Sequence, residues 1–386
     1  MKTYQIIVFL TVVFTVYFLG NAYIFIKAYN AIPGARENKA LYTIIFTAVA
    51  LSFIAAKVLE ARHSTVFSDI LNILGGFWLA FLVYGFFFFL IADLAGLILR
   101  LSHVLDQHNI QEYKKWSFIV TSSVSVILIA GGFLNAIHPK VREYDITINK
   151  KTEGVDNLKV AAVSDIHLGS IIRKRSMKKL SAILAEQRPN AVFLLGDIVD
   201  GEMGPVLRGD LLQYFTIPDA NDGLYAITGN HEFIGGAKRT IPYIESKGIR
   251  VLKDEMVVLP RRIQLIGRLD RDSQRFYGKE RESLEVLMKN VDKDFPVIVL
   301  DHQPVKLEEA AGNGVDLQLS GHTHNGQFWP LNYFTRAMFE LSYGYLKKGE
   351  TQFIVSSGFG IWGPRIRSAS RSEIVVLNIN FAGDKL

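Results

Sequence analysis

The stretch LKVAAVSDIH, residues 158–167, indicates the fold of the second part of this chain. It begins with a short apolar run that is typical of a buried β-strand, and it ends in Asp165 and His167. These two residues are one position apart at the end of an extended strand, so their side chains point the same way. The stretch therefore predicts a strand that brings a carboxylate and an imidazole to one place.

Four further motifs of polar residues follow apolar runs later in the chain. They are Gly196-Asp197, Gly229-Asn230-His231-Glu232, Asp301-His302 and Gly321-His322-Thr323-His324. Strand-like runs lie at 158–163, 191–195, 224–228, 262–266, 297–300, 317–319, 353–356 and 374–379, with helical patterns at 174–186, 240–247 and 280–289. This alternation is typical of an α/β domain. Loops at the carboxyl ends of strands converge in such sheets, so we expect the five motifs to meet.

The residue types in the five motifs predict a metal site. Together they supply carboxylate and amide oxygens and imidazole nitrogens, and the chain has no cysteine to supply sulfur. Such mixed sites suit Mn²⁺, Fe or Zn²⁺ better than Mg²⁺ or Ca²⁺, which prefer oxygen alone. The histidines outside the motifs are expected to be ordinary packed or surface residues: His63, His103, His108 and His138.

The motif set resembles that of the calcineurin-like metallophosphoesterase superfamily, from about residue 156 to 381. That family's pattern is Asp-x-His, Gly-Asp-x-x-Asp, Gly-Asn-His-Asp/Glu, a histidine and Gly-His-x-His, and Glu232 stands here where Asp is frequent. Residues 356–364 are also similar to the bacterial membrane-anchored branch, which resembles UDP-diacylglucosamine hydrolases and animal transmembrane proteins with a metallophosphoesterase domain. The resemblance implies an α/β sandwich of two mixed β-sheets flanked by helices.

The resemblance also implies two divalent metals and a ligand role for seven residues. Asp165, His167 and His324 would hold the first metal; Asn230, His302 and His322 would hold the second; and Asp197 would bridge the two. Two metals about 3.5–4 Å apart can lower the pKa of a shared water, and the resulting hydroxide can attack phosphorus.

Three residues beside the ligands are expected to assist this reaction. His231 is the predicted general acid for the leaving group. Glu232 either orients the imidazole of His231 or is an ordinary carboxylate at a helix start. Asp200 is expected to support a ligand rather than to bind metal itself.

Residues 1–138 have the composition of a transmembrane domain. Hydrophobic residues make up 49% of the chain, and the mean hydropathy is +0.20, which is high for a soluble enzyme of this length. Apolar stretches at 4–26, 41–59, 70–99 and 116–137 each approach or exceed the ~20 residues that cross a bilayer. The first is longer than a signal-peptide core, and no small-residue cleavage site follows it, so we expect four retained spans. Lysines and arginines are nearly balanced between the two sides, which leaves the orientation open.

The remainder of the chain is more polar. Residues 139–157 are expected to form a connector or a first edge strand, and residues 158–386 the phosphoesterase domain. The net charge of +6 and the pI near 9.2 fit a protein near anionic lipid head groups or one that binds an anionic substrate, and they do not by themselves indicate nucleic acid.

Three features allow two interpretations each. Asp93 lies in the third apolar stretch, where it is either functional or near a span end that reaches water, and no basic partner for it is evident within the spans. Arg268 either binds phosphate or lies at the surface. The aromatic segment 328–346 either contacts an acyl chain or the bilayer interface, or packs in the core.

Together these patterns favour a multi-pass protein of the cell membrane that hydrolyses a phosphoester or pyrophosphate bond. A lipid-linked or membrane-proximal substrate is the favoured class. The alternatives are an anchored phosphodiesterase that acts on soluble nucleotides and a metal-bound binding module without catalysis. The side of the membrane, the native metals and the oligomeric state stay open at this point.

Overall fold

The computed structural model describes residues 3–154, 156–217 and 219–383, and the chain divides into two compact units between Gly131 and Gly132. We refer to the N-terminal part as the helical unit and to the part from Gly132 onward as the sheet unit. The last turns of the final long helix belong to the sheet unit.

The helical unit consists mainly of long apolar helices. Its elements are α1 (Thr3–Ala31), α2 (Pro33–Glu37), α3 (Lys39–Arg62), α4 (Val66–Leu101) and the start of α5 (Ile110–Ile137). Within the described residues, four helices are long and apolar enough to cross a membrane, and they coincide with the four apolar stretches of the sequence. Large apolar side chains cover their outer faces, and Ile127 is 70% exposed. Surface of this kind is suited to contact with lipid.

Asp93 of α4 contacts a basic residue of another helix. Its carboxylate accepts hydrogen bonds from the Lys27 ammonium and, at 2.6 Å, from the Tyr23 hydroxyl, both on α1. The expectation that the spans offer Asp93 no basic partner is therefore wrong. Lys27 lies 66 positions away in the sequence, and only the packing of α1 against α4 brings it close.

The sheet unit, over its described residues, holds twelve strands in two sheets of six. The first sheet contains β1 (Lys140–Ile148), β2 (Asn157–Val163), β3 (Ala191–Leu194), β4 (Gly223–Ile227), β5 (Arg250–Leu252) and β12 (Glu373–Phe381). The second contains β6 (Glu255–Val258), β7 (Gln264–Gly267), β8 (Val297–Leu300), β9 (Leu317–Ser320), β10 (Gly344–Lys348) and β11 (Thr351–Val355). The helices are α6 (Lys174–Gln187), α7 (Met203–Gly209), α8 (Asn230–Ile234), α9 (Ala237–Glu245), α10 (Ser273–Tyr277), α11 (Leu284–Leu287), α12 (Leu307–Asn313) and α13 (Leu331–Met338).

Both sheets mix parallel and antiparallel pairs. The strand orders are β1-β12-β2-β3-β4-β5 and β10-β11-β9-β8-β7-β6. Strands β2 to β5 are parallel, as are β7, β8, β9 and β11, whereas β12 with β2, β6 with β7 and β10 with β11 are antiparallel. The predicted pair of mixed sheets flanked by helices is confirmed.

The central strands are buried on both faces. Apolar side chains of the two sheets share one core, in which Phe193 of β3 and Leu300 of β8 are fully buried. A second core lies between the first sheet and α6, and a third lies between the second sheet and α12. This burial explains why these strands appear in the sequence as continuous apolar runs. It also fixes the carboxyl ends of β2, β3, β4, β8 and β9, where the five motifs begin.

The polar stretch at 139–157 is expected to be a connector or a first edge strand, and it contains an edge strand. This strand, β1, has nine residues and pairs in parallel with β12. Most of its side chains are exposed or half-buried, because an edge strand in this position packs only part of its length on the core.

Candidate metal centre

The metal-site motifs have an unusual backbone conformation. Five of their non-glycine residues have positive φ angles: Asp165 (53°), His167 (52°), Asp197 (51°), His322 (71°) and His324 (48°). Residues with a Cβ rarely adopt this left-handed region, and they do so mainly where the surroundings enforce it. Here the loops bond one another, since the Asp165 N–H donates to the Gly196 carbonyl and the His167 N–H to that of Asp197.

Asp165, His167 and His324 form a first buried group. One ligand-type atom from each lies within 4.8 Å of the other two. The His324 Nε2 is 3.3 Å from the Asp165 Oδ1 and 3.1 Å from the His167 Nε2. The His167 Nδ1 lies 3.1 Å from the Asp200 Oδ1. That contact keeps a proton on Nδ1 and leaves the Nε2 lone pair directed at the other two residues.

Asp197, His302 and His322 form a second group with the same compactness. The His302 Nε2 lies 3.2 Å from the Asp197 Oδ2, and the His322 Nδ1 lies 3.1 Å from the Asn230 Oδ1. The Asp197 Oδ2 is also 3.9 Å from the His167 Nε2, so one carboxylate oxygen faces both groups.

These residues fit divalent metal ions on their own chemistry. Among the described residues, the His302 Nε2 is buried without a hydrogen-bond partner. His302 donates its Nδ1 proton to the Leu195 carbonyl, 2.7 Å away, so Nε2 is the ring nitrogen that can offer a lone pair to a metal. Buried lone pairs on several convergent atoms need a shared cation, and nitrogen with carboxylate oxygen suits first-row transition metals.

Burial and charge set the protonation of two of these residues. Burial opposes the charge of Asp197, but the His302 imidazole outweighs it, so the pKa of Asp197 lies well below its usual range. Burial lowers the pKa of His322 to about 4. An ionised carboxylate and a neutral imidazole are the forms that bind metals.

Two glycines allow the loops to approach one another. A Cβ on Gly229 would collide with the carboxylate of Asp197. A Cβ on Gly321 would collide with the Ser164 hydroxyl and the Asp165 carboxylate. Any other residue at either position would therefore displace a carboxylate of the site.

Glu232 is fully buried and accepts hydrogen bonds from three backbone N–H groups. Its Oε2 accepts from Asp197 (2.9 Å) and Gly229 (2.7 Å), and its Oε1 accepts from Val199 (3.0 Å). Burial raises the pKa of Glu232 to about 7. Of its two expected roles, these contacts match the carboxylate at a helix start, because the residue caps α8.

The carboxylate beside the His231 ring belongs to Asp200. The Asp200 Oδ1 lies 3.4 Å from the His231 Nδ1 and 3.1 Å from the His167 Nδ1, so one acid contacts the predicted general acid and a predicted ligand. Burial lowers the pKa of His231, and the charges of Asp197 and Asp200 oppose this shift.

Arg367 is a site residue that the sequence patterns did not indicate. Its guanidinium is fully buried, donates to the Gly358 and Gly360 carbonyls and lies 3.0 Å from the His324 Nδ1. The glycines at 358, 360 and 363 are the local signal for this loop.

Arg268 has neither of its expected surroundings. It is 4% exposed, and its guanidinium contacts the carboxylates of Asp301 (3.2 Å) and Glu309 (3.1 Å). Arg281 also contacts Asp301, at 2.7 Å. The residue is thus neither at the surface nor free for phosphate, because the buried Asp301 and the partly exposed Glu309 already pair with it.

Comparison with known proteins agrees with this geometry. Residues 158–326 match the family model described as calcineurin-like phosphoesterase. An uncharacterised metallophosphoesterase of Aquifex aeolicus is 32% identical over 68% of this chain and 99% of its own length. One of Campylobacter jejuni is 29% identical over 97% of this chain and 98% of its own. A zebrafish (Danio rerio) transmembrane protein with a metallophosphoesterase domain is 25% identical over 95% of this chain and 87% of its own.

The similarities to the Campylobacter jejuni and zebrafish proteins extend over the long apolar helices as well as the sheets. This extent supports the conclusion that the chain is a membrane protein. Family, sheet topology and clustered ligand-type residues agree with one another. The chain belongs to the calcineurin-like metallophosphoesterase family and is a phosphoester hydrolase of that family.

Proposed function

We propose that this hydrolase binds two divalent metals in its sheet unit and is held in the cell membrane by four spans. Residues 1–138 would form the anchor, 139–157 a connector that contributes the edge strand β1, and 158–386 the catalytic domain. The proposed ligands are the seven residues Asp165, His167, Asp197, Asn230, His302, His322 and His324. The main support is the Asp197 carboxylate, whose Oδ2 faces both His302 and His167. A bridging ligand requires this arrangement.

The metals and the side chains would contribute differently to the reaction. Bound metals, of which Mn, Fe and Zn suit the donor set, would activate a water for attack on phosphorus and neutralise charge on the phosphoryl oxygens. Glu232 would hold the loop that carries Asp197, because it fixes the N–H groups of Asp197 and Val199.

His231 is the proposed general acid for the leaving oxygen. It must be protonated to act, and burial alone disfavours its charged form. The carboxylate of Asp200, 3.4 Å from the Nδ1, favours the protonated ring and would leave the Nε2 for the substrate. Glu232 is not proposed to orient the imidazole of His231, because both of its carboxylate oxygens already accept hydrogen bonds from backbone N–H groups.

A lipid-linked or membrane-proximal phosphoester or pyrophosphate is the proposed substrate. Helix α13, in the aromatic segment after the last motif, exposes Tyr333 (61%), Phe334 (63%) and Met338 (76%). The ring of Phe339, which follows α13, lies 6.3 Å from that of His322. Apolar surface therefore extends from a proposed ligand out to solvent, where an acyl chain would cover it.

The metal centre is tested on the full-length protein in detergent. We expect about two metals per chain by elemental analysis, and turnover of a generic aryl phosphodiester. Asp197→Ala should lose metal and activity together. His231→Ala should keep its metals and lose at least about a hundredfold in turnover, because a positioned acid contributes that much. His63→Ala, outside the motifs, is the control; unchanged turnover in either site variant would refute the proposal.

The substrate class is tested by comparing detergent-dispersed lipid phosphates with nucleotides. We expect faster turnover of the lipids. Phe334→Ser and Met338→Ser together should raise the KM for lipid while leaving the aryl ester unaffected. Val258→Ser, which changes a similarly exposed apolar residue of β6, is the matched control. Equal or better turnover of nucleotides would favour a soluble substrate.

A further inference from the structure

A cavity of about 360 Å³ lies between α1, α4 and α5 in the helical unit. Its lining combines two kinds of surface. The cationic side chains of Lys27, Arg100 and Lys114 contribute to it, and so do apolar side chains, among them Phe89 and Phe118. All of its lining residues lie within positions 26–118, so the cavity is separate from the metal centre.

The charges in this cavity are not balanced. Asp93 accepts a hydrogen bond from Lys27 and so neutralises one of the three cations. In the part of the chain that the structure describes, neither Arg100 nor Lys114 has an ion-pair partner. Two positive charges therefore remain at the cavity beside apolar walls, and both side chains are exposed, so an anion in the cavity can reach them.

Close packing of two helices shapes one wall. Tyr113 of α5 packs against Gly96 of α4, where a Cβ would come within 2.7 Å of the Tyr113 ring. The Tyr113 hydroxyl donates to the Ala92 carbonyl, so the ring is fixed on α4. The cavity thus has a built wall between the two helices that carry Arg100 and Lys114.

We propose that this cavity binds the phosphate headgroup of an anionic phospholipid. Arg100 and Lys114 would contact the phosphate, and the acyl chains would lie along Phe89, Leu97 and Phe118. Basic pockets between membrane helices are suited to such headgroups. The apolar walls favour a lipid over a small free anion, which would leave them uncovered. This site goes beyond the proposed hydrolysis, because it requires neither metals nor turnover.

The test uses full-length protein in detergent, with phosphatidylglycerol and phosphatidylcholine as probes and native mass spectrometry to count retained lipid. We expect the wild type to retain more phosphatidylglycerol than phosphatidylcholine. The double variant with Arg100→Gln and Lys114→Gln should bind phosphatidylglycerol with an apparent affinity about tenfold or more below that of the wild type, since each cation near a lipid surface contributes to binding. Ser117→Phe, which places a ring in the cavity without a change of charge, should also lower retention.

The matched control is Lys39→Gln with Lys115→Gln, which removes two cations of the helical unit that do not line the cavity. It should retain phosphatidylglycerol as the wild type does. The proposal is overturned if the two double variants bind equally, or if glycerol phosphate competes as well as the intact lipid. An unchanged Tm of each variant in lipid-free detergent serves as the folding check.

Discussion

Glu232 accepts hydrogen bonds from the backbone N–H groups of three residues on two loops, Asp197, Val199 and Gly229. Glu232→Ala would leave these buried donors without acceptors, at roughly 1–3 kcal/mol each. We expect the free energy of unfolding of the sheet unit to fall by about 3 kcal/mol or more, measured by urea denaturation with circular dichroism. Glu245→Ala, at a side chain that is 41% exposed, should change it by less than about 1 kcal/mol. Equal losses of unfolding free energy in the two variants would contradict the view that Glu232 stabilises these loops through its hydrogen bonds.

The ligand-type residues were predictable from the sequence, whereas their supports were not. Asp165, His167 and the other motif residues stand at strand ends, where residue type and spacing are sufficient to indicate a metal site. Arg367 reaches His324 only because its loop folds back over the site. The glycines at 358, 360 and 363 indicate the loop, but they do not indicate which of its side chains contacts the site. The partners of Glu232 likewise come from the packing of separate loops.

The loops that follow the strands support one another at the level of elements. The Gly321 N–H donates to the His302 carbonyl, and the His167 N–H donates to that of Asp197. These bonds hold loops whose residues have left-handed φ angles, which an isolated loop would rarely populate. The site is therefore expected to depend on close backbone approach as much as on the ligands.

Gly321→Ala tests this dependence. The new Cβ would collide with the Ser164 hydroxyl and the Asp165 carboxylate, so we expect less than one metal per chain by elemental analysis and a lower Tm. Gly312→Ala adds the same methyl group inside α12, where it meets no atom within 4 Å. It should raise the free energy of unfolding of the sheet unit by about 0.5–1 kcal/mol. Normal metal content in Gly321→Ala would show that the loops can shift without loss of the site.

Central and edge strands differed in how well the sequence predicted them. The continuous apolar runs of β3 and β8 reflect burial on both faces, so their positions were predictable. Strand β10 alternates between half-buried and exposed residues, and β5 has only three residues, so neither has a strong pattern. These strands form because a neighbouring strand offers hydrogen bonds, which is tertiary information.

For the whole molecule, composition predicted two regions with different surroundings. The structure divides the chain between Gly131 and Gly132, inside the last long helix, whereas the change of composition falls after Pro139. The difference arises because the end of α5 packs within the sheet unit. The Asn135 amide donates to the Arg367 carbonyl, and the Gly132 carbonyl accepts from the Arg367 N–H. Composition cannot reveal such contacts, since helix residues of either unit are equally apolar there.

Two compact units predict two separable responses to metal removal. The proposed ligands all belong to the sheet unit, so only its folded state gains free energy from bound metal. A free metal concentration of a hundred times the Kd adds about 2.7 kcal/mol to the free energy of unfolding. For a unit of this size, that corresponds to a shift in unfolding temperature of roughly 5–10 °C.

Differential scanning calorimetry of the full-length protein in detergent, with and without a chelator, measures this response. We expect the chelator to lower the unfolding temperature of the sheet unit and to leave that of the helical unit unchanged. Asp197→Ala, which lacks the proposed bridging carboxylate, should unfold at the lower temperature both with and without the chelator. A chelator effect of equal size in Asp197→Ala and the wild type would place the stabilising metal outside the proposed centre. Readdition of Mn²⁺ or Zn²⁺ should restore the wild-type transition, because the ligand-type atoms within each group already lie within 4.8 Å of one another.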